Sequence, residues 1–124
     1  MTCGCSDSTS PGSVGRYDST IPRGATWTRT FTWKVGDPAL PVDLTGMAGR
    51  MTLSAPNYAD VSLTTDNGGL TFGGAAGTIT ALIAATATDE MAVTTYAYDL
   101  EIVAGAVVTR LLQGYQTVTP NITV

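Results

Sequence analysis

From residue 25 to 33 the chain alternates without a slip: Trp27, Arg29, Phe31 and Trp33 fall on one side, Thr26, Thr28, Thr30 and Thr32 on the other. A period of two places successive side chains on opposite faces of an extended backbone, so this segment is a half-buried strand. The same period returns over residues 95–103, with Tyr96, Tyr98, Leu100 and Ile102 inward and Asp99 and Glu101 outward. Residues 47–54, 61–65, 70–72, 78–83 and 107–119 read as further strands, the last bent at Gly114 and stopped by Pro120. Clusters of Gly, Pro, Asn and Asp separate them, among them Gly36-Asp37-Pro38, Ala55-Pro56-Asn57, Gly73-Gly74 and Gly105. Asn67-Gly68 is a hairpin signal, because both residues tolerate positive φ. The one helix candidate, residues 84–91, is too short to stand unpacked, and a single helical turn is expected there. Seven or eight short strands with turns about every 8–12 residues predict an all-β antiparallel β-sandwich, with a small closed barrel as the alternative. The expected core is Phe31, Leu53, Ile79, Leu82, Tyr98, Leu100, Ile102 and Leu111, and Tyr96 is expected to hydrogen-bond nearby backbone.

At 124 residues the chain has room for one domain. Residues 1–22 stand apart: Val14, Tyr17 and Ile21 are their only large apolar side chains, and no period of 2 or 3.6 is present. They are expected to form an extended N-terminal arm, either ordered by a partner or simply a free terminus. Residues 23–124 form the sandwich. The N-terminus has no basic flank and no apolar stretch, so no signal peptide is expected, and no apolar run of 18 residues predicts a membrane span.

Composition narrows function. The formal charge is −4, charged residues are 13%, and histidine is absent, which removes histidine-based acid–base and metal chemistry. Six Lys and Arg scattered along the chain do not make a phosphate-binding surface, so no nucleic-acid partner is expected. Threonine, the commonest residue, suits a pleated surface.

The ordered segments Arg23-Gly24-Ala25-Thr26-Trp27, Phe31-Thr32-Trp33 and Pro41-Val42-Asp43-Leu44-Thr45-Gly46 resemble a family of small structural domains of tailed bacteriophages. They are similar to the N-terminal domain of phage baseplate upper proteins and to phage proteins carrying that module alone. Further matching segments are Asn67-Gly68-Gly69-Leu70, Gly77-Thr78-Ile79-Thr80, Tyr96-Ala97-Tyr98-Asp99-Leu100-Glu101 and Val108-Thr109-Arg110-Leu111-Leu112-Gln113-Gly114, so the resemblance spans residues 23–120. The family usually has an acidic residue where Ala25 stands. The resemblance implies an immunoglobulin-like sandwich and a virion protein.

Cys3 and Cys5 are the two cysteines of the chain, both in the arm. Two thiolates without histidine do not complete a zinc site within one chain, and no histidine is present to activate a catalytic thiol. In an extended arm they point the same way about 7 Å apart, too far to pair without a bend. They are candidates for intersubunit disulfides, against unpaired thiols as the equal alternative and a metal or local bridge as the lesser one. Asp99 and Glu101 resemble a hydrolase carboxylate pair, but alternation along a solvated strand explains them. The Trp27–Phe31–Trp33 row is sugar-stacking if exposed and core if buried; Phe31 and one Trp are expected in the core, with Arg29 at its edge or over an indole. The glycine-rich segments lack a phosphate-loop pattern and read as turns, and Asn121-Ile122-Thr123 matches a glycosylation sequon by chance.

The expected function is a structural component of a tailed-phage virion, made in the host bacterial cytoplasm. It assembles in many copies at the neck or collar, the capsid surface or the tail, with other virion proteins and copies of itself as partners. No enzymatic activity, cofactor, membrane or small-molecule substrate is expected. The alternative is a carbohydrate-binding module for host attachment.

Overall fold

The structure, a computed structural model, describes residues 15–36 and 38–121. Eleven strands and one short helix follow in order: β1 (Gly15–Arg16), β2 (Ser19–Pro22), β3 (Trp27–Thr32), β4 (Lys34–Val35), β5 (Leu40–Pro41), β6 (Ala48–Ser54), β7 (Val61–Thr64), β8 (Leu70–Phe72), β9 (Thr78–Ile83), α1 (Ala85–Thr88), β10 (Thr95–Ala104) and β11 (Val107–Thr119). The fold is all-β. A large sheet runs β1-β11-β10-β6-β7, with β2 also on β11, and a smaller sheet runs β3-β9-β8. The short pair β4-β5 stands apart from both.

Alternation decides what lies between the two sheets. Trp27, Phe31, Ile79, Ala81, Ile83 and Leu70 of the smaller sheet share one buried cluster with Met51, Leu53, Leu63, Tyr96, Tyr98, Leu100 and Ile102 of the larger. The expected core residues are buried with one exception. Leu82 is 42% exposed, while Ile79, Ala81 and Ile83 point inward. Residues 79 and 82 differ by three, so a period of two forbids them a common face. Leu111 and Leu112 are both buried although adjacent. The β10–β11 register shifts between Leu100 and Glu101, so Leu100 faces Leu112 and Glu101 faces Arg110. Leu111 is the extra residue of a β-bulge, which turns two consecutive leucines to the interior.

The larger difference is at the N-terminus. Residues 15–22, expected within a separate arm, are extended but belong to the large sheet. β1 and β2 run parallel to β11, with Gly15 opposite Leu112 and Ile21 opposite Val118. Ile21 is fully buried, and Tyr17 meets Phe31 edge-on with ring centroids 5.2 Å apart. Burying one Ile contributes about 1.5–3 kcal/mol, so this strand is a stabilising part of the body. An otherwise antiparallel sheet thus acquires one parallel edge. No alternating pattern marks it, because only Tyr17 and Ile21 carry its packing.

The single helical turn joins β9 to β10 as expected. Thr88, fully buried, ties it to the β2–β3 connection: its hydroxyl accepts the Gly24 N–H (3.1 Å) and donates to the Ala25 carbonyl (2.8 Å). The Asn67-Gly68 turn uses the two residues differently. Gly68 takes the positive φ, +81°. Asn67 works through its side chain: Oδ1 accepts the Thr64 and Gly69 N–H groups (2.9 and 2.8 Å), and Nδ2 donates to the Ser62 carbonyl (2.9 Å).

Candidate functional site

Cys3 and Cys5, the expected intersubunit disulfide candidates, lie outside the described residues. The chain downstream of them, at residues 16–19, is held to the large sheet by hydrogen bonds. At Tyr17, between β1 and β2, the backbone N–H donates to Gln113 O (3.1 Å), and the Tyr98 hydroxyl donates to the Tyr17 carbonyl. The Tyr17 hydroxyl accepts from Arg29 Nε (3.0 Å). Next to it, Asp18 Oδ1 accepts the Tyr115 N–H (2.9 Å), and Arg16 pairs with Asp18 (3.2 Å) while lying 5.3 Å over the Tyr115 ring. Ser19 donates to Gln116, a fully buried glutamine. Gly114 permits this approach. A Cβ there would lie 2.5 Å from Asp18 Oδ1 and closer still to the Tyr17 carbonyl oxygen. Burial, with the nearby Asp18 carboxylate adding to it, pushes the Tyr98 phenol well above its ordinary range.

The other sequence candidates separate cleanly. Trp27 and Phe31 are buried at 1% and 0% exposure, and Trp33 is half-buried against the core. Trp27 and Phe31 are therefore core, and Trp33 packs against it from the side. The Arg29 guanidinium lies 5.3 Å over the Trp27 ring, the indole contact expected of it. Asp99 and Glu101 face outward into a charge ladder: Glu101 accepts from Arg50 (2.8 Å) and stands 3.6 Å from Arg110, which is 3.7 Å from Asp99. The hydrogen bond from Arg50 holds the Glu101 carboxyl below its usual range. Two carboxylates committed to arginines on a flat sheet face make an ion-pair network. The Tyr96 hydroxyl accepts the Ala92 N–H (3.0 Å), the backbone bond expected of it. The segment from Gly73 to Gly77 is a 3₁₀ turn over Gly74–Ala76 that leads into β9.

Sequence reasoning missed one feature, a cleft of about 670 Å³. It opens beside the loop between β6 and β7 and the turn after α1, with Tyr58, Asp60, Glu90, Met91, Val93 and Arg23 on its walls. Tyr58 and Val93 are 54% and 52% exposed. Asn57, at φ +69°, is the one non-glycine with positive φ among the described residues, and it sets the turn that presents Tyr58. The Ala55-Pro56-Asn57 turn signal marked this loop in the sequence without indicating a cavity.

These elements define an all-β sandwich domain that carries its N-terminal strand as an edge of the larger sheet. No family model matches the chain, and no curated protein matches it. Among solved structures, the N-terminal domain of phage TP901-1 ORF48 is similar to it at 11% sequence identity, over 94% of this chain and 93% of that one, with a TM-score of 0.49.

Proposed function

We propose that the protein is a structural component of a tailed-phage virion that acts through interfaces and not through catalysis. The observation that carries this reading is the match between the phage-like segments and the frame of the fold. Phe31-Thr32 ends β3, Asn67-Gly68-Gly69 turns into β8, Thr78-Ile79-Thr80 opens β9, and the segments from Tyr96 to Glu101 and from Val108 to Gly114 lie in β10 and β11. Segments so distributed specify a sandwich as a whole. The charge pattern agrees with it. Arg16, Arg50 and Arg110 pair with carboxylates of the same chain, and Arg23 and Arg29 donate to Asp89 O and Tyr17 Oη. Three of the six basic side chains are thus compensated by carboxylates of the chain itself, which lowers the positive charge open to a nucleic acid. Within this reading the chain is made in the host cytoplasm and joins the particle in many copies, at the neck or collar, the capsid surface or the tail. Cys3 and Cys5, outside the described residues, are within this reading the candidates for disulfides to neighbouring subunits. Reconstruction of whole virions tests the proposal. Density for the sandwich repeated around a symmetric part of the particle is expected. Absence of the chain from purified virions by mass spectrometry overturns it.

A further inference from the structure

We propose that the cleft beside Tyr58 binds a neutral pyranose saccharide. This site is separate from the buried aromatic row and stands independently of the virion reading. Three features of the cleft point the same way. Tyr58 is presented by its turn, whose backbone is held by the bond from its N–H to Ala55 O (3.2 Å), and its exposed ring offers an apolar face for the C–H side of a sugar. At the floor, Tyr96 is 2% exposed, and its hydroxyl accepts from Ala92. The hydroxyl's own hydrogen has no acceptor among the described residues, leaving a buried donor at the cleft. On the walls, Arg23 commits Nε to Asp89 O (3.0 Å), and its other guanidinium nitrogens have no partner among the described residues. Asp60 and Glu90 likewise have no ion pair among them.

Uncommitted donors and acceptors beside an aromatic face match a ligand whose hydroxyls both donate and accept while its ring carbons are apolar. That is the chemistry of a pyranose. Two carboxylates against one guanidinium disfavour an anionic ligand. The volume of about 670 Å³ suits a few sugar units, within the range of small-ligand sites.

The test is amide NMR on the full chain, titrated separately with maltohexaose, chitotetraose and, as the anionic comparison, tetragalacturonate at millimolar concentration. Progressive shifts of the Tyr58, Ala92 and Val93 amides with a neutral probe are expected, with weaker shifts for tetragalacturonate. Tyr58→Ala, at an exposed position that leaves the core intact, is expected to weaken binding at least tenfold. Glu90→Gln, also exposed, is expected to weaken it without changing the melting temperature. Unmoved cleft amides with both neutral probes overturn the proposal. So do shifts that persist in Tyr58→Ala, or stronger binding of the anionic probe.

Discussion

Gly114→Ala is expected to release the N-terminal strand while leaving the rest of the sandwich folded. The added methyl occupies space now held by the Tyr17 carbonyl and the Asp18 carboxylate, so the chain at residues 17 and 18 must retreat from β11. Three hydrogen bonds depend on that approach: Tyr17 N–H to Gln113 O, Tyr98 hydroxyl to Tyr17 O, and Tyr115 N–H to Asp18 Oδ1. Each neutral bond contributes about 1 kcal/mol and the one to a carboxylate somewhat more, so losing two or three costs about 3–4 kcal/mol. Gly114 sits at φ +157°, which an L residue rarely adopts, so alanine regains none of the usual strand advantage and the net loss stays at about 3–4 kcal/mol. For a domain of this size that lowers the melting midpoint by roughly 10 °C. Thermal melting by circular dichroism reads the total, and native-state hydrogen exchange reads its location. Amides of residues 16–22 should exchange much faster in the variant, with those of β10 and β6 changing only as far as global stability falls. A variant that melts within about 0.5 kcal/mol of the parent, with residues 16–22 still protected, refutes the close approach as the reason for glycine at this position.

Further expectations follow from the same contacts. Leu100→Ala, at a fully buried site between β6 and β11, should cost roughly 2–5 kcal/mol in chemical denaturation; an unchanged midpoint would place Leu100 at the surface. Ile21→Ala should cost a similar roughly 2–4 kcal/mol, whereas a free arm would tolerate it without effect on the same curve. The Tyr98 phenol is raised above its model-peptide value of 10.0, so the stability it confers is complete below pH 10 and is lost as the pH rises from there. Absorbance titration to pH 11 should therefore show Tyr98 un-ionised, and Tyr98→Phe should leave the titrating amplitude unchanged. Non-reducing electrophoresis of oxidised virions should give multimer bands that collapse on reduction and vanish in the Cys3→Ser, Cys5→Ser variant; a single monomer band removes the covalent link.

Strand positions were readable wherever one face is apolar and the other polar. The rows through Phe31 and through Leu100 needed only their period, and the core followed from it. Leu82 is apolar yet out of parity with Ile79 on the same strand, so its exposure follows from the period and not from its hydrophobicity. β1 and β2 were hidden for a different reason. Their pairing with β11 is carried by backbone, by Asp18 and Ser19, and by two large side chains in eight residues, which leaves no periodic signal. The cleft was out of reach altogether, since it joins Arg23, the loop before β7 and the turn after α1, which only the folded chain brings together.

The Asn67 side chain has a consequence for how the large sheet ends. β7 is its last strand on that side, and the Ser62 carbonyl and Thr64 N–H on its outer edge are the groups an incoming strand would seek. Asn67 supplies a donor to one and an acceptor to the other, so its amide stands in for one residue of a neighbouring strand. The edge is sealed from within the chain by a single carboxamide. The sheet is thereby a terminated structure at β7, and strand-to-strand fusion along that border is blocked. The β1 side lacks such a plug among the described residues, and growth of the sheet, where it occurs, has a direction.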